Sequence, residues 1–150
     1  MNGAHAHLMV NHVSLFAFLI GVVALLLSRR RKSADLRQLA SGLFIVAGVF
    51  AVLGFESGEK AEDVLKAMGD AAWADFKPFV HQHEDAAEWA RRSAILVSGL
   101  AVAMEWAARK KKAWLNRIQW AVILFAIHGC TVFAATSYFG GKVRHTEVRE

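Results

Sequence analysis

Cysteine and proline are almost missing from these 150 residues, with one of each. A lone thiol, Cys130, excludes an intrachain disulfide and a CxxCH haem attachment. There is no Gly-x-Ser-x-Gly elbow, no HExxH pair and no phosphate-cradling glycine loop, so hydrolase and nucleotide chemistry lack a motif. Charge is scarce too, at 21% of residues against 55% hydrophobic. It is also segregated, because long stretches carry almost none. A bilayer imposes that pattern: charges are expelled from hydrocarbon and collect at its borders. The basic balance, 18 Lys/Arg against 13 Asp/Glu, does not indicate nucleic acid, since the cations flank apolar runs without an aromatic–basic motif.

What is present is four apolar segments, at about 8–28, 39–55, 93–108 and 118–139. A membrane span needs roughly 20 residues. The first and last qualify outright, the second is short, and the third is interrupted by Glu105. Two short segments also suit core helices of a soluble bundle, but two full spans commit the chain to lipid. The expectation is an all-α fold, a single four-span domain over 1–150 forming a transmembrane bundle.

Orientation follows from the loops. Arg29, Arg30, Arg31, Lys32 and Arg37 crowd the first connection, and Arg109, Lys110, Lys111, Lys112 and Arg117 the third. Ten cations in two short loops belong in the cytoplasm. Eleven of the 13 acids lie elsewhere. Both termini and the 56–92 connection are therefore expected on the periplasmic side of a bacterial inner membrane. A signal peptide carries its positive charge before the apolar stretch; here it follows, so the first span is retained.

The long outer connection reads as helical. Residues 58–74 suit an amphipathic helix or helical hairpin, with Val64, Leu65, Met68 and Trp73 available for its apolar face. Pro78 fits the first turn of a new helix, which should continue from Phe79 to Lys112 as one rod. Small residues at Ala47 and Ala51, or at Gly42 and Gly48, allow close helix contact.

Six of the seven histidines fall on the expected outer side. His5, His7 and His12 precede or begin the first span, His81 and His83 open the third long helix, and His145 follows the fourth. Glu56, Glu59 and Glu62 come directly after the second span; Glu59 and Glu62 share a helix face, and His81, Glu84 and Glu88 form one stripe. Each of the four helical ends thus supplies a His, a Glu or both. Imidazole with carboxylate suits iron, zinc or manganese. His12 lies about one turn below Leu8, roughly 6 Å into the span. With Asn11 it puts adjacent polar groups in an apolar segment, where such groups face a bundle interior.

Other polar residues have plainer readings. Single loop His and Glu residues are ordinary solvated groups, and Arg91 and Arg92 suit pairing with Glu84 or Glu88. His128, near the bilayer centre, reads as a packing histidine bonded to Ser98 or Ser14. Glu105 and Arg109 read as an i, i+4 pair. Trp106, Trp114 and Trp120 suit an inner aromatic belt, with Trp89, Tyr138 and Phe139 an outer one.

Four short motifs carry a likeness: His7-Leu-Met-Val-Asn-His12-Val, Ser57-Gly-Glu59-Lys-Ala-Glu62, His83-Glu84-Asp-Ala-Ala-Glu88, and Gly140-Gly-Lys-Val-Arg144-His145-Thr-Glu147. Together they make the chain similar to a group of uncharacterised four-span bacterial membrane proteins. That group is akin to a predicted-membrane-protein class opening with a His-Pro…His-Phe-Pro pattern, although Ser14 stands where that pattern has proline. The resemblance implies four helices in a bacterial inner membrane. Fusion of wider relatives to c-type cytochrome domains implies a redox setting by analogy.

The leading expectation is a periplasmic-face metal site, redox-associated, with His7, His12, Glu59, His83, Glu84 and His145 as ligands. Asn11, Glu62, Glu88, Arg144 and Glu147 would orient them through hydrogen bonds. The alternative cofactor is haem b, held by His12 with His83 or His145. A third reading is a non-enzymatic accessory subunit of a larger respiratory or transport complex, or a partner of a c-type cytochrome.

Overall fold

A computed structural model describes residues 3–145, 147 and 149, with the main chain alone for residues 3–6 and Met9. Four helices follow in order: α1 Gly3–Arg31, α2 Ala34–Lys66, α3 Asp70–Arg109 and α4 Leu115–Arg144. Each packs against the next, and α1 closes the ring against α4. The chain is thus an all-α, up-and-down four-helix bundle.

The turns at one end are short and basic. Helix α1 ends on Arg29–Arg31, cations that favour the negative end of its dipole. Lys32 then takes a left-handed backbone, φ 52°, and Ser33 caps α2 by accepting from the Leu36 amide at 3.3 Å. Such a cap is worth about 1 kcal/mol. Lys111 breaks the α3–α4 connection in the same way, φ 48°. At the opposite end, Gly69 at φ 103° turns α2 into α3; glycine enters that region without a Cβ penalty.

Two boundaries differ from the sequence reading. Helix α2 runs unbroken through Ser57 and Gly58 to Lys66, so the hairpin expected in 58–74 turns at 67–69. Pro78 does not open a helix: α3 starts eight residues earlier, at Asp70, and carries the proline inside. Pro78 is exposed and near the helix start. There the missing N–H removes one hydrogen bond without breaking the packed second half.

Phe18, Phe44 and Phe133 stack at the centre, with ring centres 5.6 Å and 5.1 Å from Phe18. Leu25, Val97, Met104, Val122 and Ile123 continue the core. Ala40, Ala47, Ala51, Ala94, Ala101 and Ala126 fill the contact lines. Of the small residues proposed for contact, Ala47, Gly48 and Ala51 are buried, while Gly42 is exposed. The outside is apolar as well: Phe16, Ile20, Val23, Val49, Leu53, Ile95, Val102 and Leu124 are all exposed.

A soluble bundle does not cover its exterior this way. Three helical segments, Val10–Arg31, Ala34–Lys66 and Leu115–Arg144, are long and apolar enough to cross a membrane. These features mark a membrane protein associated with a lipid bilayer. The expected aromatic belts are exposed in part, with Trp106, Trp114 and Trp120 near the basic turns and Trp89 and Tyr138 toward the other end.

Glu105 is not paired with Arg109. Its carboxylate takes Arg37 Nε at 3.0 Å and the Ser41 hydroxyl at 2.9 Å, with both ionic side chains under a fifth exposed. Crossing from α3 to α2, it gains two charge-assisted partners where the i+4 arginine offers a solvated one.

Close approach depends on glycine at Gly129, where an added Cβ would lie 2.5 Å from the Phe18 ring. Gly99 has open space around it. Gly129→Ala should therefore destabilise by about 1–3 kcal/mol through overpacking, whereas Gly99→Ala should be neutral or stabilise by about 0.4–1 kcal/mol. Thermal melts of the two variants in the same detergent check the contrast.

Candidate functional site

The end opposite the basic turns brings residues of all four helices together around two imidazoles. His7 of α1 sits half-buried. Its Nδ1 lies 3.0 Å from the Gly54 carbonyl and 3.1 Å from the Ser57 hydroxyl, both on α2. His83 of α3 is likewise half-buried, with Nδ1 2.9 Å from the Thr136 carbonyl on α4. The two ring centres are 6.0 Å apart and the rings nearly perpendicular, at 87°.

A carbonyl only accepts, so each Nδ1 carries the proton and donates it. Each Nε2 then keeps its lone pair. Burial lowers the pKa of His7 below 6.5, with His83 adding to the shift, the Gly54 bond opposing it and His12 contributing a little. Burial lowers His83 as well, against the Thr136 bond. Both imidazoles are therefore neutral at neutral pH.

Gly140 makes room for the His83 ring: a Cβ there would come within 2.9 Å of His83 Cε1, whereas one at Gly58 would meet His7 Cε1 at an ordinary 3.6 Å. Gly54, Ser57, Thr136 and Gly140 were not among the expected site residues. The Gly54-x-x-x-Gly58 spacing, a close-contact signature in membrane helices, was the available signal for two of the glycines.

The other expected ligands do not join the pair. His12 is exposed, and its Nδ1 is 3.4 Å from Leu8 O on its own helix. Five residues turn a helix by about 140° from His7, so both cannot face the interior. Asn11, four residues from His7, does share its face: its Oδ1 is buried without a hydrogen-bond partner among the described residues. Glu59 is exposed. His145 is exposed and pairs with Glu147 at 3.0 Å. A backbone hydrogen bond and, after it, the His145 pairing lower the Glu147 pKa. Arg144 is exposed, and the His5 side chain lies outside the described residues.

The acids of α2 and α3 form separate contacts. Glu62 takes Lys66 at 3.0 Å. Glu84 is half-buried, and its carboxyl is pushed up by burial first and by Glu62 second. Glu88 bridges Arg91 at 3.6 Å and Arg92 at 2.6 Å, so the arginine pairing falls on Glu88 rather than Glu84. Arg91 also covers the Phe55 ring at 4.5 Å, and its Nε is buried without a partner among the described residues. Among those residues, no group of three or more His, Cys, Asp or Glu is placed to hold a metal ion.

His128 makes neither expected bond. Ser14 donates to Ala47 O at 3.0 Å and Ser98 to Phe44 O at 2.8 Å. His128 is exposed on the outside of α4, in a shallow apolar groove with Trp89, Thr131 and Ala135.

Beyond the pair, Arg149 ties the tail to α3 through Asp75 at 2.6 Å and stacks on Phe76 and Phe79. No family model, curated protein or solved structure matches the chain.

A depressed histidine pKa makes folding stability pH-dependent in one direction. Below 6.5 the unfolded chain takes up protons that the folded pair resists, so stability is full above 6.5 and is lost as pH falls. Metal-free protein should lose at most about 1.4 kcal/mol per pH unit per histidine in that window. His83→Asn should flatten the profile, as read by chemical denaturation across pH 5 to 8.

Proposed function

We propose that this protein is a four-span protein of a bacterial inner membrane, with both termini on the periplasmic face, that binds a transition metal between His7 and His83. The orientation rests on the ten cations crowded at one end of the bundle. The third crossing rests on residues 93–108, whose one acid, Glu105, is neutralised by Arg37 and hydrogen-bonded by Ser41.

One observation carries the metal reading: the Nδ1 of each histidine is held on a main-chain carbonyl of another helix. A ligating imidazole commonly donates its other N–H to a carbonyl, which fixes the ring and raises its basicity. His7 and His83 meet that condition on two different helices. Two nitrogens each about 2.0 Å from a metal set ring centres roughly 5 to 6 Å apart, from a tetrahedral to a linear arrangement, and the 6.0 Å found here lies toward the linear end. Paired imidazoles without gathered carboxylates suit iron or zinc better than manganese. His7 and His83 would be the two protein ligands of either a hydrated ion or a haem b. The pair for such a haem is His7 with His83, in place of His12 with His83 or His145. A redox role, alone or beside a c-type cytochrome, belongs to the iron forms.

A second reading is favoured by His128. A polar ring on the outer surface near the middle of an apolar span is costly against lipid, and a neighbouring chain of a larger respiratory or transport complex would relieve it. That is the accessory-subunit role.

Absorption spectra and elemental analysis of detergent-purified protein separate these cases. A Soret band identifies haem, and one metal per chain without it identifies an ion. His7→Ala should abolish either signal, while His12→Ala should leave it nearly intact. Equal loss in both variants, or neither signal in the native protein, contradicts the metal reading and leaves the accessory role.

A further inference from the structure

The basic end of the bundle holds a small open pocket with no part in the histidine site. It lies where α1 ends and where α2 and α4 begin, and its polar lining includes Arg29, Lys32, Arg37, Asn116 and Gln119 beside two serines, Ser28 and Ser33. No carboxylate lines it. Arg37 is already neutralised by Glu105 at 3.0 Å. Arg29 and Lys32 have no carboxylate within ion-pair distance among the described residues, so the pocket keeps two uncompensated charges.

Its donors are held in place. Arg29 Nη1 donates to Asn116 Oδ1 at 2.8 Å and to Gln119 Oε1 at 2.9 Å. The guanidinium also lies 4.3 Å over the Trp120 ring. Both amides accept through oxygen, which leaves their NH2 groups to donate. Lys32 is set beside them by the left-handed turn that ends α1. Asp35, in the first turn of α2, is exposed and lies outside the lining. The half-exposed Trp120 puts the pocket at headgroup level, because tryptophan concentrates at the membrane–water border.

We propose that this pocket binds the phosphodiester headgroup of an anionic phospholipid. Arg29 and Lys32 hold the phosphate oxygens, and the Asn116 and Gln119 amides donate to the headgroup oxygens beyond them. The acyl chains run along the apolar exterior of the bundle. Basic pockets between membrane helices take anionic headgroups in this way. A fixed guanidinium gives a planar, directional contact that a freely moving surface cation does not.

The full chain, reconstituted into phosphatidylcholine vesicles with and without phosphatidylglycerol, tests the site through its melting temperature. A ligand that prefers the folded state stabilises it by mass action, and phosphatidylglycerol should raise the melt by about 3 °C or more. The readout is that lipid-induced shift, so a change in basal stability does not obscure it. Lys32→Gln should reduce the shift, and Lys32→Gln with Arg29→Gln should remove it. The control Arg109→Gln with Lys110→Gln removes equal charge from the same end and should keep the shift. Equal loss in both double variants would mean diffuse surface charge and overturn the site. No shift in native protein would overturn it too. If glycerol phosphate in phosphatidylcholine vesicles reproduces the whole shift, the pocket takes a free anion and the lipid assignment fails.

Discussion

Close backbone approach, sealed by side chains that bond a neighbouring helix's carbonyls, is the constraint on which this bundle depends. Lipid tails are as apolar as leucine, so helices inside a membrane gain little from burying apolar faces against each other. Packing at short range and interhelical hydrogen bonds must hold them. Ser14 on Ala47 O joins α1 to α2, and Ser98 on Phe44 O joins α2 to α3. Gly48 permits the second contact, because a Cβ there would collide with the Ser98 side chain.

Register set within the apolar band carries outward to both ends. With α2 and α3 aligned by Ser98, Glu105 falls beside Arg37 and Ser41 at the basic end. With α1 aligned to α2 by Ser14, His7 reaches Gly54 two turns higher. Helix α3 projects through its long first half and delivers His83 to Thr136 of α4. The same kind of bond recurs, a side chain donating to a main-chain carbonyl of another helix. At the histidine end it also leaves two ring nitrogens, one on each imidazole, with unused lone pairs.

Much of the helical plan was legible. Apolar runs marked four segments, cation clusters marked the two short turns, and Gly69 fell inside the stretch expected to form a hairpin. Pro78 misled because a proline in an exposed early turn loses one bond, and a helix packed along its remaining length tolerates that. Glu105 misled because i+4 spacing measures proximity within a helix and is blind to a partner on another. His12 was favoured over His7 for its depth in the span, but depth says nothing of azimuth. The about 140° between them means one must face out, and only the packing of α1 on α2 decides which. Asn11 shares the inner face with His7, which explains its buried oxygen.

The central claim is that helix register alone brings together, across the bundle, the ends of α1 and α3 opposite the basic turns. Paired cysteines with a short bifunctional thiol reagent test this most directly, in a Cys130→Ser background. The His7→Cys, His83→Cys protein should cross-link rapidly and near completion in membranes, and the His12→Cys, His83→Cys protein should not. Efficient linking of the second pair with failure of the first would contradict the register, and with it the histidine pair.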